Sequence, residues 1–241
     1  MSTTGFSSLV ETFFNAGIVA KTAPLILAAA WQTLAVGLLI VVTGVLAGIL
    51  LASVRYATRS RVLRGLIVAY ADIMRALPPL VLLILVYFAL PYVDIAMGAV
   101  MATWLCLSLV LAAFIEECVW SGLCTTPPGQ MEAARSTGMT WLAAMQHVVL
   151  PQAVRRVIPP LLSDLVSLSK DSGLISILGA IDAVRAAQIQ TATYANFTPY
   201  VVAGVLFVLL TIPLTRFTDA LARRGGWLGS QSGLAGAGAM R

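Results

Sequence analysis

Residues 25–53 read LILAAAWQTLAVGLLIVVTGVLAGILLAS, without one charged side chain. An apolar helix needs about 20 residues to cross the hydrocarbon core of a bilayer. This stretch therefore predicts a membrane span. Gly37, Gly44 and Gly48 within it place small residues where a second helix can approach closely. The rest of the chain agrees: 59% of residues are hydrophobic and 10% charged, with a mean hydropathy of +0.93. Soluble domains carry about 25% charged residues, so the composition is that of an integral membrane protein. The net charge of +5 then speaks to which loops face the cytoplasm, with no nucleic-acid partner implied. Cys106, Cys118 and Cys124 lie in or beside apolar runs and have no metal-ligand spacing. They read as small apolar fillers. No CxxC, GxGxxG or GxxxxGK[ST] pattern argues for a cofactor.

Upstream of this span, the first residues lack the basic region of a secretory signal. Phe6, Leu9, Val10, Phe13 and Phe14 recur at helical spacing, with Ser7, Ser8, Glu11, Thr12 and Asn15 opposite. The pattern predicts an amphipathic helix within residues 1–22. Two placements stand: in the membrane interface, or packed on a neighbouring span. Downstream, Arg55, Arg59, Arg61 and Arg64 form a basic hinge. A second span is expected over Leu66–Leu90, kinked at Pro78-Pro79. A turn at Pro91–Asp94 leads to a third span, Ile95–Val119, ending at Glu116-Glu117. A fourth begins near Val157 and runs to about Ala180, with Asp164, Ser167, Ser169, Lys170, Asp171 and Ser172 inside it. A polar stretch, Asp182–Thr198, precedes the fifth span, Pro199–Phe217. Residues 223–241 are rich in Gly, Ser and Ala and are expected to be a disordered tail.

Basic residues crowd the first hinge, the 124–156 segment (Arg135, Arg155, Arg156) and the C-terminal flank (Arg216, Arg223, Arg224, Arg241). The complementary loops hold only Lys21 and Arg185. The positive-inside bias then gives an all-α membrane domain over residues 23–222, with five spans, the N-terminus outside and the C-terminus inside. Its longest mixed-polarity segment, 130–151, is cytoplasmic on that topology.

That segment reads as two short helices at an angle. Pro127-Pro128-Gly129 ends the preceding helix. Glu132 falls in the first turn of the next, where the helix dipole favours a carboxylate. Ala133 and Ala134 leave a side of little bulk that another surface can approach. Gly138 suits the left-handed position that ends a helix, and Thr140 can cap a second one. Trp141, Ala144, Met145 and Val148 share a face of that helix, and Pro151 punctuates its end. An exposed apolar bump of this kind is a docking surface; the alternative is a loop folded back on the helix ends.

Glu132-Ala133-Ala134, Gly138, Val148 and Leu150-Pro151, in that spacing, resemble the EAA loop of ABC importer permeases, with Val148 where the pattern has Ile. Tyr70–Pro91, Pro127–Ala134 and Ser169–Gly179 resemble the polar amino acid (His/Glu/Gln/Arg/opine) branch of that family, and the likeness covers about residues 27–222. The resemblance implies a MetI-like permease that is not itself an enzyme. It implies two ATPase subunits that bind the ATP, a second permease subunit and an extracytoplasmic amino-acid-binding protein, all at the bacterial cytoplasmic (inner) membrane. It makes the EAA helix the element that docks in the ATPase, with Glu132 and Gly138 most sensitive to change.

A charge within a membrane faces a cavity or a partner. Asp72 and Arg75, three residues apart, either neutralise one another or sit at the interface with Arg75 reaching the headgroups; the second is favoured. Glu117, Lys170, Asp171 and Ser172 are candidates for a substrate pathway. Lys170 would meet a carboxylate and Asp171 an ammonium. Alternatively Lys170 and Asp171 pair with Glu117, Asp164 or each other to hold the spans in register. Where the branch has RGTP, NSAAY and EIFRGG, this chain has Arg75-Ala76-Leu77-Pro78, Val110-Leu111-Ala112-Ala113-Phe114 and Glu117-Cys118-Val119-Trp120-Ser121-Gly122. The loss of polar groups favours a heterodimer whose pocket lies mostly in the other permease; a bulkier, more apolar substrate is the alternative. The competing function is an ion-coupled secondary transporter with Asp171 or Glu117 as its ion site. The small number of spans and the absence of an inverted repeat stand against it. No nucleophile–base or metal constellation supports a membrane-bound enzyme.

Overall fold

The computed structural model describes residues 5–155, 157–158 and 172–224. Every regular element among them is helical. In order these are α1 (Gly5–Phe13), α2 (Ala16–Ala57), α3 (Arg61–Ala76), α4 (Pro79–Ala89), α5 (Ala99–Thr125), α6 (Gly129–Ser136), α7 (Trp141–Ala144), α8 (Ala183–Tyr194) and α9 (Thr198–Arg224). A 3-10 turn, Leu90–Val93, follows α4, and another covers Ser172–Leu178.

Local chemistry sets several boundaries. Asn15 separates α1 from α2, and its Oδ1 accepts from Ile18 N at 3.2 Å. Ser60 caps α3 by accepting from Leu63 N at 3.3 Å. The expected span Leu66–Leu90 is not a single kinked helix. α3 stops at Ala76, Leu77 and Pro78 are extended, and α4 starts at Pro79. Pro78 disfavours helical geometry at the residue before it, while Pro79 suits a first helical position. The pair of prolines thus closes one helix and opens another. Asp94, at φ 62°, completes the expected turn. The polar stretch before the last span folds into α8, capped by Asp182 and ended by Ala195 at φ 45°.

Among the described residues, three helical segments are long and apolar enough to cross a membrane: Gly5–Ala57, Ala99–Thr125 and Thr198–Phe217. The bent pair Arg61–Ala76 and Pro79–Val93 makes a fourth if it crosses as one. Most of the expected fourth span (159–171) and the expected tail from 225 onward lie outside the described residues.

The chain divides into two compact units. The first comprises Met1–Ile40, Pro78–Leu107 and Leu168–Pro213. Its core joins Ile26 and Ala30 of α2, Ala183, Ala186 and Ala187 of α8, and Ala203 of α9. Short side chains let these helices approach closely. The backbone N–H of Ala183 donates to Thr33 Oγ1 at 3.3 Å within this packing. α1 is fastened here at its C-terminal end. Phe197 N donates to Thr12 O (3.0 Å) and Asn196 Nδ2 to Glu11 O (2.9 Å), while the Phe13 and Phe197 rings stack at 5.4 Å. Phe6, Leu9, Val10 and Phe14 stay exposed. The second unit comprises Val41–Leu77, Ser108–Ser167 and Leu214–Arg241. It contains the 130–151 segment, Asp72, Arg75 and Glu117.

Candidate functional site

The 130–151 segment forms two helices joined by a tight turn. Gly138 sits at φ +90°, a left-handed conformation that glycine adopts without cost. Its N–H donates to Arg135 O at 3.0 Å. Thr140 then caps α7, accepting from Ala143 N at 3.2 Å. α7 does not end at Pro151. It passes through a π-helical turn, Met145–Val149, and continues as α-helix through residues 150–155. Pro151 has no N–H for the carbonyl four residues back, and its ring crowds that carbonyl. A π turn directly before it, with Leu150 N donating to Met145 O, accommodates both effects.

The two helices present different faces. Glu132 and Ala133 are exposed, whereas Ala134 is buried against the protein itself. Gly138, Met139 and Leu142 are exposed as well. Ala144, Met145 and Val149 are buried, with Trp141, Val148, Leu150 and Pro151 half-buried. Gln152 Nε2 donates to Gln130 Oε1 at 3.0 Å and ties the second helix to the start of α6. Gly122 of α5 joins this assembly to the long helix. A Cβ at Gly122 would lie 2.5 Å from Ala153 O, so only glycine permits this crossing.

A second constellation lies where α5 meets α2 and α3. Arg55 Nη1 donates to both oxygens of Glu116, at 3.1 and 3.2 Å, and to Glu117 Oε2 at 3.2 Å. The Glu116 side chain is 0% exposed. The Arg55 guanidinium lies 4.2 Å from the centre of the Trp120 ring, a cation–π geometry. Arg75 Nη2 reaches Asp72 Oδ1 at 2.9 Å and Glu117 Oε2 at 3.6 Å. Asp72 and Arg75 therefore do pair, and Arg75 also reaches across to α5. Three carboxylates face two guanidiniums.

Of the expected pathway residues, Glu117 belongs to this network, bonded to Arg55 and near Arg75. Ser172 opens the 3-10 turn Ser172–Leu178. Lys170 and Asp171 lie outside the described residues. The apolar departures from the branch pattern have packing roles. Val110 and Leu111 are buried, and Leu111 covers Gly44, where a Cβ would come within 2.8 Å of it. Gly48 is closed similarly by Ile115 and the Ala112 carbonyl. Sequence reasoning missed Arg55 and Glu116, counting the former only as a hinge charge. A carboxylate pair at the end of an apolar helix demands a cation, and that demand was the available signal.

This architecture has counterparts. Residues 44–225 match the family described as binding-protein-dependent transport system inner membrane component. A glutamine transport system permease protein of Rickettsia prowazekii is 35% identical over 194 residues, covering 80% of this chain and 88% of that one. An arginine transport system permease protein of Bacillus subtilis is 32% identical over 202 residues, covering 80% and 90%. A crystal structure of an amino acid ABC transporter with histidines superposes with a TM-score of 0.75 at 29% identity, covering 92% of this chain and all of that one. The chain is thus a MetI-like integral membrane protein that belongs to the binding-protein-dependent transport system inner membrane components, permease subunits of ABC transporters that work with separate ATP-hydrolysing subunits.

Proposed function

We propose that this permease carries a polar amino acid into a bacterial cytoplasm across the inner membrane, in the substrate range of its glutamine and arginine relatives. The observation that carries the mechanism is the pair of helices around Gly138, with Glu132 and Ala133 exposed on α6. These residues form the docking face for an ATPase subunit. Ala134, Leu150 and Pro151 hold that face in place from beneath. The tight Gly122–Ala153 crossing supports transmission of movement between this element and α5.

On this reading two ATPase subunits serve two permeases, and the second permease is a different chain. The burial of Val110 and Leu111, where the branch pattern is polar, supports a pocket placed mostly in that partner. An extracytoplasmic binding protein delivers the amino acid to the outer face. Residues 23–222 form the five-span domain, N-terminus outside and C-terminus inside, with residues 223–241 on the cytoplasmic side. The exposed stripe of α1 lies in the outer lipid interface, and the bonds to residues 196–197 support its position flat against the span ends. Glu117, Lys170, Asp171 and Ser172 remain the pathway candidates of this chain.

The assembled complex in proteoliposomes tests the reading. Uptake of glutamine or arginine should require internal ATP and the binding protein. Uptake driven by an ion gradient without ATP would establish the secondary-transporter alternative instead. Recovery of two copies of this chain in one complex, using two distinguishable tags, would overturn the heterodimer.

A further inference from the structure

α3 carries three stripes rather than two. Ile67 and Ala71 are buried in the second unit. Val62, Leu66, Ala69 and Ile73, spaced i, i+4, i+7 and i+11, form an exposed apolar stripe, with Leu66 63% and Ile73 54% exposed. Arg61, Arg64, Asp72 and Arg75 form a separate polar stripe. A helix lying flat on a membrane surface needs one apolar and one polar face. A helix with core, lipid and polar stripes has a third environment to satisfy. Intramembrane ionisable groups face a bundle interior or a water-filled cavity, and the polar stripe is not buried in its own unit. The Asp72 side chain is 63% exposed and that of Glu117, beside it on α5, 38% exposed.

We propose that Asp72 and Arg75 on the polar stripe of α3, together with Glu117, form a wall of the aqueous passage through which the amino acid moves. Asp72 and Glu117 outnumber Arg75, so this wall attracts the ammonium group of the solute. Arg55 holds Glu117 as well as Glu116, whereas Asp72 pairs with Arg75, so Asp72 is the carboxylate placed to receive that ammonium. The inference rests on the importer reading above, yet its test measures neither transport nor ATP hydrolysis, so the two can fail separately.

The test uses the assembled transporter in proteoliposomes, with Cys106, Cys118 and Cys124 replaced by alanine. Val68→Cys lies one turn from Asp72, between Arg64 and Asp72 on the polar stripe, and leaves every charge in place. Ile73→Cys lies at the depth of Asp72 on the apolar stripe. Methanethiosulfonates carrying either trimethylammonium or sulfonate are applied to both. The expected result is rapid labelling at Val68→Cys and little at Ile73→Cys. The cationic reagent should react several-fold faster than the anionic one, and Asp72→Asn should reduce that preference. Equal labelling at the two positions would mean that α3 lies on an open surface and would overturn the proposal, as would an unreactive Val68→Cys. A preference unchanged by Asp72→Asn would overturn the role given to the carboxylates.

Discussion

The two units of this permease solve the same packing problem with different chemistry. The first packs Ala30, Ala183, Ala186, Ala187 and Ala203 together and adds isolated polar contacts such as that of Thr33. The second threads Gly44, Gly48 and Gly122 under neighbouring backbone and side chains and fastens three helices with a network of five charged groups. Between helices in lipid the driving force comes from close packing and polar contacts. A unit built on alanine contacts can lose one and relax. A unit built on a shared guanidinium cannot, because each carboxylate depends on the same few donors. The unit bearing the 130–151 segment is the one so constrained. That suits the coupling role proposed for the segment.

The sharpest way to break this contrast is Arg55→Met. It leaves Glu116 buried without its cation, and breaking a buried pair costs about 3–5 kcal/mol. A large fall in thermal stability of the detergent-solubilised complex is expected, and Arg55→Lys should rescue it only in part, since lysine lacks the planar fork that stacks on Trp120. A loss below about 1 kcal/mol would mean that the network behaves as a surface ion pair and that the contrast is unreal.

Gly122→Ala comes next. The added methyl meets the Ala153 carbonyl, a backbone atom that cannot turn aside, and overpacking costs about 1–3 kcal/mol. ATP hydrolysis should persist while uptake per ATP falls. Normal coupling would show that the crossing need not be tight.

Gly138 separates conformation from space. No atom stands within 4 Å of an added Cβ, so the cost of Gly138→Ala is that of a left-handed backbone, about 1–2 kcal/mol. Asn tolerates this region better than Ala, so Gly138→Asn should retain more uptake than Gly138→Ala. The reverse order would point to side-chain exclusion by the docked ATPase.

The smallest effect belongs to the first unit. Asp182 is fully buried at the start of α8. Burial pushes its carboxyl above the usual carboxylate range, against the pull of backbone N–H groups led by that of Arg185. The fold therefore favours the protonated form. This contribution to stability is complete below the ordinary carboxylate value and is lost as pH rises through the raised one. Asp182→Asn keeps an oxygen to cap Arg185 N and should flatten that decline, as read by thermal unfolding between about pH 4 and 8. An unchanged profile would show that Asp182 is not a source of it.

Much of the 130–151 segment was legible in the chain. Gly138 at its turn and Thr140 as a cap follow from rules acting over three or four residues. Pro151 was misread, because a proline normally ends a helix and nothing local announces the π turn that lets one continue. The break at Leu77-Pro78 was half legible: paired prolines signal an interruption, but a kink and a full stop have the same sequence signature.

The sequence by itself determined the membrane class, the positions of the long apolar helices and the existence of an exposed, glycine-hinged pair of helices. Those features follow from composition, periodicity and short-range backbone preference. Only the tertiary structure decided that Arg55 reaches Glu116 and Glu117, 61 and 62 positions along the chain, that Ala134 turns inward while Ala133 turns out, and that the apolar stripe of α3 left exposed is distinct from its buried one. Each depends on which helix packs where, and the spacing of residues along a chain does not encode which distant helix a given face will meet.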